Sequence, residues 1–230
     1  MTTREAHGGD RAAHARYGWQ EPGPVYLALG SNLGDREANL GEVLERLAAR
    51  GLTIARRSSI YETEPVGLAG QGWFLNQVIE ASWLYEKASS LSQREVDVIT
   101  DFHKRDAMGD ARTFKCGLLL RDSLRIESEM GRRRDIRNGP RTIDIDILLC
   151  GGLQGDFDST RPDEVGRRWR EHGLPELILP HPRLHLRRFV LAPLSEIAPD
   201  VIHPTLKRSC ADLLAALDDP AMVRLYQGTA

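Results

Sequence analysis

The sequence predicts an α+β fold from three observations. Short aliphatic and β-branched runs alternate with stretches whose apolar residues recur at helical spacing. These segments follow one another as strand, helix, strand, strand, helix, strand. A length of 230 residues, 41% hydrophobic and 28% charged, suits one globular domain with a full core. The element order is that of the split βαβ, ferredoxin-like arrangement: a mostly antiparallel sheet with helices on one face. A C-terminal extension follows it.

Residues 1–24 are polar and rich in Gly, His and Arg without apolar periodicity, so a disordered tail is expected there. That leaves residues 25–230 as the single domain. Residues 25–29 read as a buried strand ending in the turn Gly30-Ser31-Asn32-Leu33-Gly34-Asp35, which matches neither a Walker A nor a dinucleotide fingerprint. Asp35 is placed to cap a helix through Ala49, whose apolar stripe is Leu40, Val43, Leu44 and Leu47. Gly51 stands where a C′ glycine stops it. Residues 52–61 and 73–83 read as the second and third strands. The Gly- and Pro-rich loop 62–72 between them is free to serve a ligand.

Residues 84–116 are charged and weakly periodic, with a break at Met108-Gly109-Asp110, and read as a surface excursion remote from the chemistry. Residues 117–130 form a better helix, closed by Gly131. A basic loop follows, Arg132-Arg133-Arg134-Asp135-Ile136-Arg137-Asn138. After the next strand, 151–173 loosens into a polar segment. Order returns at 176–179, turns at Pro180-His181-Pro182, and ends in helical stretches at 192–197 and 206–217.

Several functional classes drop out. A net charge of −2 gives no global field for nucleic acid. The three cysteines, Cys116, Cys150 and Cys210, are odd in number and scattered, which argues against a disulfide framework and for a reducing compartment. No apolar run approaches a membrane span and no secretory h-region opens the chain, so a cytoplasmic location is expected.

The chemistry concentrates in Gly139-Pro140-Arg141-Thr142-Ile143-Asp144-Ile145-Asp146-Ile147-Leu148-Leu149. A Gly-Pro turn opens a strictly alternating strand. Period 2 puts Ile143, Ile145 and Ile147 on one face and Asp144 and Asp146 on the other. Two like charges one pleat apart repel unless a cation lies between them, and Mg²⁺ takes a couple of carboxylates plus phosphate oxygens. The arginine loop runs directly into this strand. A surface ion-pair network would use the same residues at about 0–1 kcal/mol per pair. A polyphosphate site would use them better, since arginines fork onto phosphates while the aspartates hold the ion. No Ser/His or Cys/His spacing suggests a nucleophile, and phosphoryl-type transfer needs little covalent help from protein.

The strand motif closely resembles the signature of the 6-hydroxymethyl-7,8-dihydropterin pyrophosphokinases. Three further segments agree in order: Ala28 through Asp35; Tyr61-Glu62-Thr63-Glu64-Pro65-Val66-Gly67 with Phe74-Leu75-Asn76; and Leu179-Pro180-His181-Pro182-Arg183 with Phe189-Val190-Leu191-Ala192-Pro193-Leu194. The resemblance covers 25 to about 217, with two segments, 76–127 and 146–181, longer than in the family. It implies transfer of pyrophosphate from ATP, the co-substrate, to the pterin hydroxymethyl oxygen, in folate biosynthesis. By position, Asp144 and Asp146 match the ligands of two Mg²⁺ ions, and Arg132, Arg134 and Arg141 match catalytic arginines. Glu127, His181 and Arg187 match the nucleotide site; Thr63, Val66, Phe74, Asn76 and Phe189 match the pterin pocket. Asn138 stands where some relatives carry a Trp that closes over the pterin. The implied partners are small molecules only, with neither nucleic acid nor membrane, and a monomer. Two other readings share these residues: another Mg-dependent phospho- or nucleotidyltransferase, and a non-catalytic binding module on the same scaffold.

Overall fold

The computed structural model describes residues 23–68, 70–83, 91–104, 108–133 and 139–228, with backbone alone at 83, 102–104 and 108–110. Residues 1–22 of the expected tail, Arg134 and Asn138 lie outside the described residues.

Strand β1 (Val25–Ser31) sits between β5 (Asp144–Cys150) and β4 (Phe74–Trp83), antiparallel to both. The outer edge of β4 pairs with β2 (Leu52–Arg57) and then β3 (Tyr61–Thr63), and β3 pairs with β8 (Val223–Leu225). The order β5-β1-β4-β2/β3 is the ferredoxin-like one, with each βαβ crossover leaving room for an antiparallel strand between its ends. The expected second strand is thus two strands. Ser58 breaks it by donating Oγ to Ser59 O and accepting from Val78 N on β4.

Helix α1 (Arg36–Ala49) begins as expected, with Asp35 accepting from Ala38 N at 3.0 Å, and Gly51 beyond its end has φ +91°. Helix α3 (Met108–Glu129) crosses back over the sheet. Leu27, Leu29, Ile79, Ile145 and Ile147 bury their side chains under these helices with Leu40, Val43, Leu47, Leu118 and Ile126. The isoleucine face of β5 is therefore the core face. The opposite face, with Tyr26, Val78 and Leu148, is covered by the C-terminal extension: a 3₁₀ turn (Leu184–Leu186), helix α5 (Arg188–Ile197) and helix α6 (Cys210–Ala215).

Three expectations need correction. The described residues of 84–116 are not a surface excursion: α2 (Gln93–Lys104) buries Val98 and Ile99, and α3 starts at Met108 rather than breaking there, burying Ala111 and Phe114. The polar segment 151–173 folds as β6 (Gly155–Phe157) and α4 (Glu164–His172), with β7 (Leu177–Leu179) pairing on β6. One side of α4 carries a fully buried Trp169, whose ring lies where a Cβ on Gly117 would come within 2.6 Å. Only glycine there lets α4 reach α3. Finally, Cys116 and Cys150 are joined as a disulfide between α3 and β5, leaving Cys210 buried and free. Packing brings together what 34 residues of sequence separate, so the odd count no longer speaks to compartment. Among the described residues no helix is long and apolar enough to cross a membrane.

Candidate active site

The sheet register builds the site. Gly30 of β1 pairs with Asp144 on one side and Asn76 on the other, and Asn76 pairs with Tyr61. Side chains across such a row share a face, here the one opposite α1 and α3. Gly30 leaves the floor between Asp144 and Asn76 open, and a Cβ there would stand 2.8 Å from Asn76 Oδ1. One cleft of about 310 Å³ results. Arg132, Arg141, Asp144, Asp146, His181 and Arg187 line one end. Thr63, Val66, Phe74, Asn76 and Phe189 line the other.

At the charged end, Arg132 and Arg141 each place Nη1 on a different oxygen of Asp144. Asp146, one pleat on, has no such direct partner among the described residues: the His181 imidazole is 4.0 Å away. Burial, and then the charge of Asp144, hold its carboxyl well above the usual carboxylate range. A cation would relieve that charge. Among the described residues no three His, Cys, Asp or Glu side chains gather as a metal cluster. The aspartate pair suits a hard ion that takes its remaining ligands from phosphate and water.

His181 is a neutral donor here. Burial, with Arg187 and Arg183 nearby, pushes its imidazole down to about 4. Nδ1 accepts from Arg183 N at 3.1 Å, which leaves the proton on Nε2, facing Asp146. The ring is pinned by its own backbone N–H on Leu148 O of β5.

At the apolar end, Asn76 donates Nδ2 to Thr63 Oγ1 at 2.7 Å, which fixes its amide. Its Oδ1 side faces the floor over Gly30. Phe74 and Phe189 supply flat surfaces. A guanidinium lies over each, Arg141 over Phe74 and Arg187 over Phe189, both at 5.3 Å. The two ends therefore share side chains: two arginines of the charged end also cover the rings.

Of the thirteen residues expected from sequence, eleven line this cleft; Glu127 does not, and Arg134 lies outside the described residues. Glu127 is buried beneath Arg132, accepting from it and from Ile145 N at 2.8 Å, so it braces the arginine and the start of the aspartate strand. Sequence reasoning missed Arg183, Glu64 and Gly67 among the lining residues, and it missed Asn32. The Asn32 carboxamide accepts from Arg141 N at 2.7 Å and donates to Gly72 O and Gln71 Oε1, while its backbone N–H donates to Arg141 O. It clips the aspartate strand's entry to the loop on the apolar side. The motif around it was visible; its partners are remote in sequence.

The family model for 7,8-dihydro-6-hydroxymethylpterin-pyrophosphokinase (HPPK) matches residues 26–119 and 107–199. A 2-amino-4-hydroxy-6-hydroxymethyldihydropteridine pyrophosphokinase of Bacillus subtilis is 37% identical over 178 residues, 77% of this chain and 79% of that protein. Its counterpart in Methylorubrum extorquens is 36% identical over 179 residues, 77% of this chain and 84% of its own. A crystal structure of HPPK-DHPS from Plasmodium falciparum superposes with a TM-score of 0.51 at 13% identity, over 85% of this chain and 45% of that one. That last likeness concerns the fold alone, and this chain spans less than half of that larger protein.

Proposed function

The chain belongs to the 7,8-dihydro-6-hydroxymethylpterin pyrophosphokinase family, and from that premise we propose how its cleft works. The activity is pyrophosphate transfer to 6-hydroxymethyl-7,8-dihydropterin in folate biosynthesis, with ATP as co-substrate. The pterin hydroxymethyl oxygen attacks the β-phosphorus and loses its proton. The bond from that phosphorus to the α,β-bridging oxygen breaks, and AMP leaves. The reading is carried by one observation: a single cleft joins an aspartate pair and four arginines to a pocket of two phenylalanines and a fixed amide.

In this reading Phe74 and Phe189 hold the flat heterocycle between them, and Asn76 presents its amide edge to the ring. Arg141 and Arg187 leave those rings for phosphate oxygens, where a planar guanidinium gains two charge-assisted bonds. Arg132, tied to Glu127 and Asp144, steadies charge on the transferring group, and Arg134 belongs to the same basic loop. Neutral His181 donates Nε2–H to the nucleotide without adding a charge that would compete with the arginines. Asp144 and Asp146 would hold two Mg²⁺ ions, whose chemistry is to neutralise the triphosphate and order it for in-line displacement. We take the enzyme to work on small molecules as a cytoplasmic monomer, with the cleft's charged and apolar ends both supplied by this chain.

Incubation with ATP, Mg²⁺ and hydroxymethyl-dihydropterin should release one AMP for each pterin diphosphate formed. Release of ADP would mean ordinary phosphoryl transfer. ATP consumption that ignores the pterin would favour another acceptor and another enzyme class.

A further inference from the structure

We propose that residues 217–226, with β8 near their C-terminal end, form a strap that sets the width of the pterin pocket, and that Arg224 is its chief positioning residue. This rests on the pterin reading above. The pocket has two walls that the sheet alone does not tie together. One is the segment leaving β3, which lines the cleft with Thr63, Glu64, Val66 and Gly67. The other is the start of α5, which supplies Phe189 just after Arg187.

The strap is fastened to both. At the α5 wall, Arg188 N donates to Asp219 Oδ2 at 2.9 Å, and the Arg188 guanidinium donates to Asp219 O at 3.0 Å and Leu217 O at 2.9 Å. Asp219 Oδ1 accepts from Ala221 N at 3.0 Å, which fixes the turn between the two anchorages. At the β3 wall, Glu64 and Met222 exchange bonds: Glu64 N donates to Met222 O at 3.1 Å, and Met222 N donates to Glu64 Oε2 at 2.9 Å. Val223 and Leu225 then pair with Thr63 and Tyr61.

Arg224 locks this second anchorage to the loop before Phe74. Its Nη2 and Nε reach Glu62 Oε2 at 2.7 and 3.2 Å, and its guanidinium lies over the Trp73 ring at 4.8 Å. Glu62 in turn receives Arg36, which also holds Trp73 O at 2.8 Å. The chain of contacts therefore runs from Phe189 through the strap to Thr63, Trp73 and Phe74. Arg224 is itself 61% exposed, so its contacts add little to global stability and act mainly on geometry. A stacking pocket depends on that geometry, because ring contacts fade within a fraction of an ångström of added width.

The test is steady-state kinetics on the full chain and on Arg224→Ala, Arg224→Lys, Asp219→Ala and the Asp219→Ala/Arg224→Ala pair, each with a melting curve. Arg224→Ala should raise the pterin KM up to about fivefold, as an exposed ion pair allows. The double variant should raise it about tenfold, with kcat and the ATP KM within about twofold of the parent. Arg224→Lys should recover part of the loss, since it keeps the charge without the fork. A double variant with the parent's pterin KM would overturn the strap, whether or not its melting temperature falls. So would an ATP KM that rises as much as the pterin KM. A parent chain that makes no pterin diphosphate would instead overturn the pterin reading, and the strap's role with it.

Discussion

The carboxamide of Asn32 joins three parts of the cleft, and it shows how much a buried hydrogen-bonding group can organise. Replacing it by Ala strands Arg141 N and frees the loop at Gly72. The loss should be about 1–3 kcal/mol of stability, the cost of an unpaired buried polar group. Arg141 should also lose register, so kcat should fall about ten- to a hundredfold; a variant with parental kcat would show that Arg141 needs no such clip. The aspartates should respond differently from each other. Asp146→Asn removes a carboxylate held above its ordinary range by burial and by Asp144, so in metal-free buffer the variant should melt no lower than the parent. Asp144→Asn takes a partner from both Arg132 and Arg141 and should cost about 1–3 kcal/mol. Both should lose nearly all turnover. Turnover near the parent's in either would remove the aspartates from the chemistry. The aspartate pair was legible in sequence because a period of two fixes which face each residue takes. Asn32 and Arg183 were not, since what they touch is decided by register between strands.

The elements that sequence misread lie in the two polar segments 84–116 and 151–173, and both carried weak signals. Ser92-Gln93-Arg94-Glu95 is a capping box, in which Glu95 Oε2 accepts from Ser92 N and Oγ at 2.7 and 2.9 Å. The apolar stripe behind it is thin: among the described side chains of α2, Val98 and Ile99 are the buried apolar ones. In α4 the signal was smaller still: Val165 and Trp169, four apart, among arginines and glutamates that pair along the exposed side. By contrast α1 was readable end to end, with an aspartate cap, a full stripe and a glycine stop. Replacing residues 86–113 with a flexible linker should therefore lower the melting temperature steeply, since it deletes buried side chains rather than a loop. An unchanged melting curve would return the insertion to the surface. His172, at the end of α4, packs its ring edge-on to Phe114 at 5.0 Å. Burial, with Arg94 next, holds its imidazole below the ordinary 6.5. The unfolded chain takes up that proton before the native one, so stability contributed by the neutral ring is lost as pH falls below about 6.5. His172→Gln should flatten the decline in melting temperature between pH 7 and 5, and an equally steep decline would assign it to other groups.

Across the whole molecule, the sheet keeps two faces apart. One carries the packed core under α1 to α4 and the other carries the cleft, with the C-terminal extension packed on it. The ferredoxin-like order was readable because each core strand is bounded by strong turn residues. The coverage of the second face was not, because helix periodicity does not say which face a helix will choose. The described residues of 91–129 and 155–172 add to the core side, and none of them lines the cleft. Pyrophosphate transfer moves two phosphoryl groups as one unit. ATP labelled with ³²P at the β-phosphorus, incubated with Mg²⁺ and hydroxymethyl-dihydropterin, measures that directly. All label should appear in the pterin diphosphate, with AMP unlabelled; label left behind in a nucleotide product while the pterin is phosphorylated would contradict it.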